Sequence, residues 1–427
     1  MHKFNLNNLD QNVYSFTLEN GLKVYLVPFS NKKNFYAVLG TRYGSLNIDF
    51  SSDGENIHSP YGTAHFLEHK MFEQEDGIDP FKIFSKTGVS TNASTTFNNT
   101  RYYIWGVNDL ETNLNFLLDF DFSPYFTDDN VEKEKGIIKE EILMYEDDIA
   151  WALDDTLRQN MFYELPVKEK IAGTVASIND ITKEDLYAAY NTFYHPSNMF
   201  LVIGGNLEVK KIENLIKNHP KLVKIKDKKQ IERKEYQEPN DVKEEFTTIY
   251  KNINVPKIEF GIKINSNNFN LDKIKLNMYL GIILTSVFGS TSSFRENVIS
   301  NNLATNFYEE KSTYDNFYLL TIAAESDKAD ILIEKIKKAF KNIKISKEEL
   351  ERIKKVWIAS EVRMIDNIEI TVDNICSDLI QYNKVYENRI ELIRELNMKE
   401  LKQVINNLDT SNQSLVMILP NDQKGIF

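Results

Sequence analysis

Apolar and polar residues alternate with two different periods along the first half of the chain. Residues 20–29 and 34–43 alternate with a period of two, which predicts two strands. Residues 44–60 are rich in Ser, Asp, Asn and Gly and predict a loop. Further strands are predicted at 89–97, 101–107 and 199–204. Apolar residues that recur every three or four positions predict helices at 110–120, 130–146 and 151–164.

The second half repeats this order of elements. Strands are predicted at 246–253 and 258–264, a helix at 273–288, strands near 303–309 and 315–323, and then helices. We infer an α+β fold of two similar domains, each a mostly antiparallel β-sheet flanked by helices. The predicted boundaries are 1–222 for an N-terminal α+β domain, 223–243 for a charged linker and 244–427 for a C-terminal α+β domain of the same fold. The alternative for the charged segment is a solvated loop within one domain.

Composition narrows the possible classes of protein. The chain has 427 residues, too many for one ordinary core, and its apolar fraction of 42% suits a globular protein. No apolar run is long enough for a membrane span, and no secretory signal is visible, so no membrane partner is expected. The net charge of −12 argues against a nucleic-acid partner. The single cysteine, Cys376, excludes an internal disulfide and favours a cytoplasmic location.

The chemistry centres on His65-Phe66-Leu67-Glu68-His69. On a helix, His65 and His69 share a face with Glu68 close beside them. Two imidazoles and an unliganded carboxylate suit a catalytic zinc ion, and H-x-x-E-H is the inverted zinc-peptidase motif. With six histidines in the chain, composition alone gives roughly 0.01 chance occurrences. The alternative is a pair of helical histidines beside the core.

A third metal ligand is expected from the helix predicted at 130–146. On a helical wheel Glu141 lies in the middle of the apolar face, and Glu134 lies two turns before it. A carboxylate in a buried stripe is unusual unless it is paired or metal-bound. Glu141 is therefore the candidate third ligand, and Glu134 the candidate for orienting a ligand histidine. The alternative is that both acids reach solvent from the edge of the stripe.

The segment Gly62–His69, followed by Met71-Phe72, resembles the zinc helix of the pitrilysin/insulysin-type inverzincin peptidases, which include the mitochondrial processing peptidases. The resemblance is closest to half-length bacterial members. Residues 134–142 resemble the second motif of that family, whose later glutamate binds zinc, in agreement with Glu141. The stretch Asn92-Ala93-Ser94-Thr95 resembles the family's substrate-binding edge strand. The resemblance implies one Zn²⁺ per chain and an extended, unfolded peptide bound beside these four residues within a closed chamber.

The chain departs from the family in its second half. Active members use an Arg and a Tyr from a segment that corresponds here to residues 294–308. Asn301 or its neighbour replaces the Arg, and Arg295 and Tyr308 do not restore the spacing. In two-component members a metal-free partner supplies this pair, so the resemblance implies a heterodimer with a homologous metal-free subunit. A homodimer that uses Arg295 or Tyr308 differently is the alternative.

The predicted function is therefore zinc-dependent peptide-bond hydrolysis, with His65, His69 and Glu141 as metal ligands and Glu68 as the general base. All four residues lie in 1–222, which is predicted to be the zinc-binding catalytic domain, and 244–427 is predicted to have no metal site. Two alternatives stay open. The first is a non-catalytic peptide-binding or scaffold subunit. The second is a dedicated maturation protease for one ribosomal peptide, in place of an enzyme of general peptide turnover.

Overall fold

The computed structural model describes residues 1–52 and 54–421, which pack into two compact units. Neither unit is continuous in sequence. Unit 1 contains Met1–Met144, Lys170–Glu235 and Ser360–Arg389. Unit 2 contains Tyr145–Glu169, Tyr236–Ala359 and the described part of Ile390–Phe427.

Each unit is built on a β-sheet. The strands of unit 1 are β1 His2–Leu6, β2 Gln11–Thr17, β3 Lys23–Pro28, β4 Phe35–Thr41, β5 Asp49–Ser52, β6 Glu55–His58, β7 Ser90–Thr95, β8 Thr100–Gly106, β9 Met199–Gly205 and β10 Glu232–Arg233. Those of unit 2 are β11 Phe246–Lys251, β12 Lys257–Asn265, β13 Phe307–Tyr314, β14 Phe317–Glu325 and β15 Gln413–Pro420.

Helices connect and cover the strands. Those in the first half are α1 Thr63–Met71, α2 Pro80–Lys86, α3 Leu110–Asp121, α4 Asp128–Asp147, α5 Ile149–Met161, α6 Val175–Asp180, α7 Lys183–Phe193 and α8 Val209–Lys217. Those in the second half are α9 Lys273–Phe288, α10 Ser293–Ser300, α11 Ala329–Lys341, α12 Lys347–Met364, α13 Ile368–Tyr382, α14 Arg389–Glu395 and α15 Met398–Asn407. Within the described residues, none of these helices combines the length and apolarity needed to cross a membrane.

The five strands of the main sheet in unit 2 have the same order and directions as five of the seven strands in the main sheet of unit 1. In the described residues the order is β1-β2-β3-β9-β4-β8-β7 in unit 1 and β11-β15-β12-β14-β13 in unit 2. Each sheet contains one parallel pair of strands, which is β3–β9 in unit 1 and β11–β15 in unit 2. The other neighbouring strands are antiparallel. The predicted α+β fold with two similar, mostly antiparallel sheets flanked by helices is therefore confirmed, and β7 and β13 occupy the same edge position.

The sheet of unit 1 is covered on both faces because its strands are apolar on both sides. One face packs its residues, including Leu39 and Ile104, against α1, α3, α4 and α7. The other face packs Val38, Phe200 and Val202 against α13. Gly204 permits this contact, since a Cβ there would lie 2.7 Å from the Cγ2 atom of Val372.

The observed elements differ from the predicted ones in two ways. Some strands and helices were not predicted, and one predicted strand lies a few residues further along the chain. The region predicted as a loop at 44–60 contains the hairpin β5–β6, because strands of four residues with Ser, Asp and Asn show little alternation. The predicted elements also omit β1, β2 and α13, although Ile368, Val372, Ile375 and Leu379 recur with helical spacing. The strand predicted near 303–309 lies at Phe307–Tyr314.

The compact units do not follow the predicted boundaries 1–222, 223–243 and 244–427. Helix α5 packs on β12 and β15 in unit 2, and α13 packs on β4 and β9 in unit 1, so each unit takes a helix from the other half of the chain. Sequence periodicity predicts that a helix exists but not which sheet it covers, and this explains the difference.

The segment predicted as a linker is mostly exposed but is anchored to both units at particular residues. In unit 1, Glu232 and Arg233 form β10, which pairs with β5. In unit 2, the side chain of Glu238 is 1% exposed and lies 2.5 Å from the ammonium of Lys263. The carboxylate of Glu238 also accepts hydrogen bonds from the backbone N–H groups of residues 163–165 at 2.8–3.1 Å. These contacts make the segment part of both folded units.

Two glycines position the start of α1. Gly62, the N-cap residue, has a φ of 93°, and a Cβ there would lie 2.6 Å from the carbonyl oxygen of Ala172. Gly173 has a φ of 75°, and its Cβ would lie 2.5 Å from the carbonyl oxygen of Tyr61. The hydroxyl of Ser177 donates to that same carbonyl at 2.8 Å. The close approach of the two segments sets the position at which α1 begins.

Candidate metal centre

Helix α1 presents His65 and His69 on one face, as their spacing predicts. The two ring centroids lie 4.6 Å apart with an interplanar angle of 61°. Both side chains are largely buried, His65 more deeply than His69. The two imidazoles are thus held side by side by the turn of a single helix.

Glu141 on α4 approaches both imidazoles. One of its carboxylate oxygens lies 3.6 Å from Nε2 of His65, and the other lies 3.5 Å from Nε2 of His69. These donor atoms lie within 4.8 Å of one another. A tetrahedral zinc ion bound at 2.0–2.2 Å separates its ligand atoms by about 3.3 Å, so the observed spacing fits the ion. Two nitrogens and one carboxylate are also a donor set that catalytic zinc uses.

Glu134, two turns before Glu141 on α4, contacts the other nitrogen of His69. Its Oε1 lies 3.1 Å from Nδ1 of His69, and its Oε2 lies 3.8 Å from the ammonium of Lys70. Burial works against the charged form of Glu134, but the hydrogen bond from His69 and the charges of His69 and Lys70 outweigh it and hold the pKa below its usual value. An acceptor at Nδ1 leaves Nε2 of His69 facing Glu141, the arrangement expected when Nε2 binds a metal.

The two histidines differ in basicity. Burial, together with the neighbouring His69, lowers the pKa of His65 to about 4, so this imidazole is neutral near pH 7. For His69, burial also opposes the charge, but the hydrogen bond to Glu134 and the nearby carboxylates raise its pKa. A neutral imidazole is the form that binds a metal, and a histidine with a carboxylate on its far nitrogen is a strong ligand.

Glu68 lies between the metal-binding group and the sheet. Its side chain is buried, and it accepts hydrogen bonds from the hydroxyl and the backbone N–H of Thr95. Burial raises the pKa of Glu68, and the bonds from Thr95 and the charge of His69 only partly oppose this. Its Oε2 atom is buried and has no hydrogen-bond partner among the described residues. Glu68 is therefore a buried carboxylate with one oxygen free to accept a proton.

The edge strand β7 carries Thr95 and the other predicted substrate-binding residues, Asn92, Ala93 and Ser94. In the described residues β7 pairs with β8 alone and ends the sheet. The backbone N–H of Ala93 donates to the side-chain carbonyl of Asn92 at 2.9 Å, so it is not used in the ladder with β8. The outer edge of β7 next to Glu68 thus has backbone groups that another strand can reach.

The structure brings His65, Glu68, His69, Glu134, Glu141 and Thr95 together, as well as one residue that sequence reasoning missed. Lys70 lies between His69 and Met71 and is fully buried beside Glu134. A lysine next to the HxxEH motif was the available signal, but two of its three partners, Asn130 and Glu134, lie on another helix about 60 residues away.

The segment that corresponds to the one carrying the family's Arg and Tyr lies in unit 2. The Arg295 guanidinium pairs with the carboxylate of Glu309 at 3.0 Å, donates to the carbonyl of Phe307 and lies over the Phe307 ring. Tyr308 is about half exposed on β13. The side-chain amide of Asn301 donates to the carbonyl of Asn297 at 2.9 Å. Arg295 is thus engaged within its own unit.

Two protein-family models match the chain. Residues 46–175, which hold the metal-binding group, match the model described as insulinase (peptidase family M16). Residues 180–356 match the model described as the peptidase M16 inactive domain. The two matches follow one another along the chain and agree with the predicted order, in which only the first half carries a metal site.

Known relatives support the same family. The uncharacterized zinc protease YmfH of Bacillus subtilis is 38% identical over 361 residues, which cover 82% of this chain and 83% of the relative. The crystal structure of an M16-like peptidase from Alicyclobacillus acidocaldarius superposes with a TM-score of 0.91 at 31% identity and covers 97% of this chain and 99% of that one.

A second structure, that of the periplasmic protease PqqL of Escherichia coli, shares the fold at 18% identity and a TM-score of 0.73. The alignment covers 96% of this chain but only 48% of PqqL, so this chain corresponds to about half of that protein. The two model matches, together with the relatives from Bacillus subtilis and Alicyclobacillus acidocaldarius, show that the chain belongs to the M16 (insulinase, or pitrilysin-type) peptidase family, in its half-length form.

Proposed function

We propose that the chain is a zinc-dependent endopeptidase subunit that hydrolyses extended peptides. The observation that carries this proposal is the approach of Glu141 on α4 to both His65 and His69 on α1, with Glu68 beside them. The names of the relatives, zinc protease and M16-like peptidase, support the same chemistry.

His65, His69 and Glu141 would hold the zinc ion. Bound zinc supplies Lewis acidity, which acidifies a water molecule and polarises the peptide carbonyl. Glu68 takes the proton of the attacking water and then gives it to the leaving amine. The raised pKa of Glu68 and its unpaired Oε2 suit this transfer, because burial disfavours the charged form of a carboxylate and so makes it accept a proton more readily. Glu134 orients His69 through Nδ1.

The substrate binds as an additional strand on β7. A peptide strand next to β7 would pair with the backbone of Ala93 and Thr95, whose N–H groups now contact Asn92 and Glu68. Because backbone groups make these bonds, an extended or unfolded segment is the substrate, and its side chains are read only weakly. Residues 92–95 then place the scissile bond next to Glu68.

The proposal includes a homologous, metal-free partner subunit that supplies an Arg and a Tyr to stabilise the developing oxyanion. Arg295 forms an ion pair with Glu309, which argues against a homodimer in which Arg295 takes the place of the family's Arg. The fit of this chain to about half of PqqL agrees with a protein that works as one of two halves.

The catalytic role is favoured over a non-catalytic binding or scaffold subunit because the metal-binding group and Glu68 are all present and correctly spaced. A dedicated maturation protease and an enzyme of general peptide turnover would share this site. The cytoplasmic location also stays a prediction, which rests on the single cysteine, Cys376.

Substituting the third ligand should remove the metal. Glu141→Gln is expected to weaken zinc binding by more than the roughly 10–100-fold typical of residues behind the ligands, because a charged donor is lost. Glu140→Gln is the matched control, since Glu140 is exposed on the same helix. Zinc content after equilibrium dialysis measures both. Equal zinc content in the two variants would remove Glu141 from the ligand set.

Glu68→Gln should keep zinc and lose activity. We expect kcat to fall about 10²–10⁴-fold, the contribution typical of a general base, with zinc content unchanged. The exposed Glu75 provides the control variant Glu75→Gln. Hydrolysis of a fluorogenic peptide, with and without a chelator, is the assay. Full activity in Glu68→Gln, or cleavage that survives zinc removal, contradicts the mechanism.

A proline on the edge strand tests substrate pairing. Ala93→Pro removes an N–H that β8 does not use, so the sheet should tolerate it. We expect a rise in KM of about 10-fold or more with zinc affinity unchanged, whereas Ala93→Ser, which keeps the N–H, behaves like the wild type. An unaltered KM in Ala93→Pro would mean that the peptide does not pair here.

The partner prediction is tested by copurification. The tagged chain, expressed in its own source cells, is expected to copurify with a second chain of similar length that lacks an HxxEH motif, and to hydrolyse the fluorogenic peptide only with that partner. The matched measurement uses the purified chain alone and its Tyr308→Phe variant. Activity of the chain alone that Tyr308→Phe reduces more than about tenfold would establish the homodimer instead.

A further inference from the structure

One charged side chain of α1 is completely enclosed and has no role in the mechanism above. Lys70 follows His69 directly, and its side chain is 0% exposed. Lysine is almost never fully buried unless it is paired, because burying an ammonium ion costs its hydration. Its surroundings must therefore supply compensating groups.

Three such groups surround the ammonium. It donates to the backbone carbonyl of Asn130 at 3.1 Å, contacts the carboxylate of Glu73 and lies 3.8 Å from Oε2 of Glu134. Glu134 is shared, since its other oxygen lies 3.1 Å from Nδ1 of His69. A continuous chain of contacts thus runs from Lys70 through Glu134 to His69.

These contacts also join two helices. Asn130 and Glu134 lie on α4, which carries Glu141, whereas Lys70 lies on α1 with His65 and His69. Asn130 is itself fixed, because its side chain donates to the carbonyl of Tyr125 at 3.1 Å and accepts from the backbone N–H of Thr127 at 2.9 Å. The anchor point of Lys70 on α4 is therefore rigid.

The negative charge of the surrounding carboxylates gives a second reason for a lysine at position 70. The carboxylates of Glu68, Glu73, Glu134 and Glu141 lie in or beside the site, and Lys70 contacts two of them. Without the ammonium, Glu134 would keep its hydrogen bond with His69 and the charge of nearby Lys133, but it would lose its buried cationic neighbour on α1. A methionine at position 70 would fill the same space but would leave Glu134 unpaired on that side.

We propose that Lys70 is a positioning residue of the metal site. Its ammonium holds the Glu134 carboxylate in the orientation that accepts from Nδ1 of His69, and it ties α1 to the first turn of α4. This inference rests on the proposed zinc function. It also predicts that Lys70 acts on zinc through Glu134 rather than through packing.

A double-mutant cycle on the full chain tests it. The variants are Lys70→Met, Glu134→Gln and the double variant, with Lys86→Met on the exposed end of α2 as the control for loss of one positive charge. Zinc affinity is measured by competition with a chromophoric chelator, and ligand geometry by the visible absorption of the Co²⁺-loaded protein. If Lys70→Met does not fold, Lys70→Gln, which can still donate to Asn130, takes its place in the cycle.

We expect Lys70→Met to lower zinc affinity about 10–100-fold and to shift the Co²⁺ absorption, and to change affinity less than about twofold in the Glu134→Gln background. The inference is overturned if Lys70→Met matches Lys86→Met, if its loss is the same in both backgrounds, or if the Co²⁺ absorption is unaltered. In those cases the proposed function stands. A wild-type chain that binds no zinc overturns the proposed function and this inference together.

Discussion

The structure depends on the convergence of two helices on one point. His65 and His69 on α1 and Glu141 on α4 belong to segments about 70 residues apart, yet their donor atoms lie within 4.8 Å of one another, close enough for the three side chains to hold one metal ion. The tight N-terminus of α1 at Gly62, the anchoring of Lys70 on α4 and the apolar packing of both helices on the sheet all serve this one requirement. A shift of either helix by one residue would separate the donors.

Much of this centre follows from helical geometry alone. The i, i+4 spacing places the two histidines together, and the position of Glu141 in an apolar stripe indicates a carboxylate with a buried partner. The same reasoning places Glu134 two turns earlier on that face, and the structure finds it next to His69. In each case the prediction needs only the periodicity of one helix, which is a local property of the sequence.

Other features depend on contacts between distant segments, and local patterns do not reveal them. The burial of Lys70 depends on Asn130 and Glu134, and the bond between Glu68 and Thr95 depends on how α1 lies over β7. The assignment of α5 to unit 2 and of α13 to unit 1 reflects the apolar faces that remain uncovered after each sheet has formed. The hairpin β5–β6 is hidden for a different reason, since its four-residue strands are too short to show alternation.

The exchange of helices between the halves of the chain has a consequence for biosynthesis. One face of the main sheet of unit 1, opposite α1, is covered by Ile368, Val372, Ile375 and Leu379 of α13. This helix is the last element of unit 1 to be synthesised. A nascent chain that ends near residue 222 has all of the metal-binding residues but exposes the apolar surface of Val38, Phe200 and Val202. Unit 1 is therefore completed only after residues 360–389 have been synthesised, so a truncated translation product would leave this apolar face uncovered.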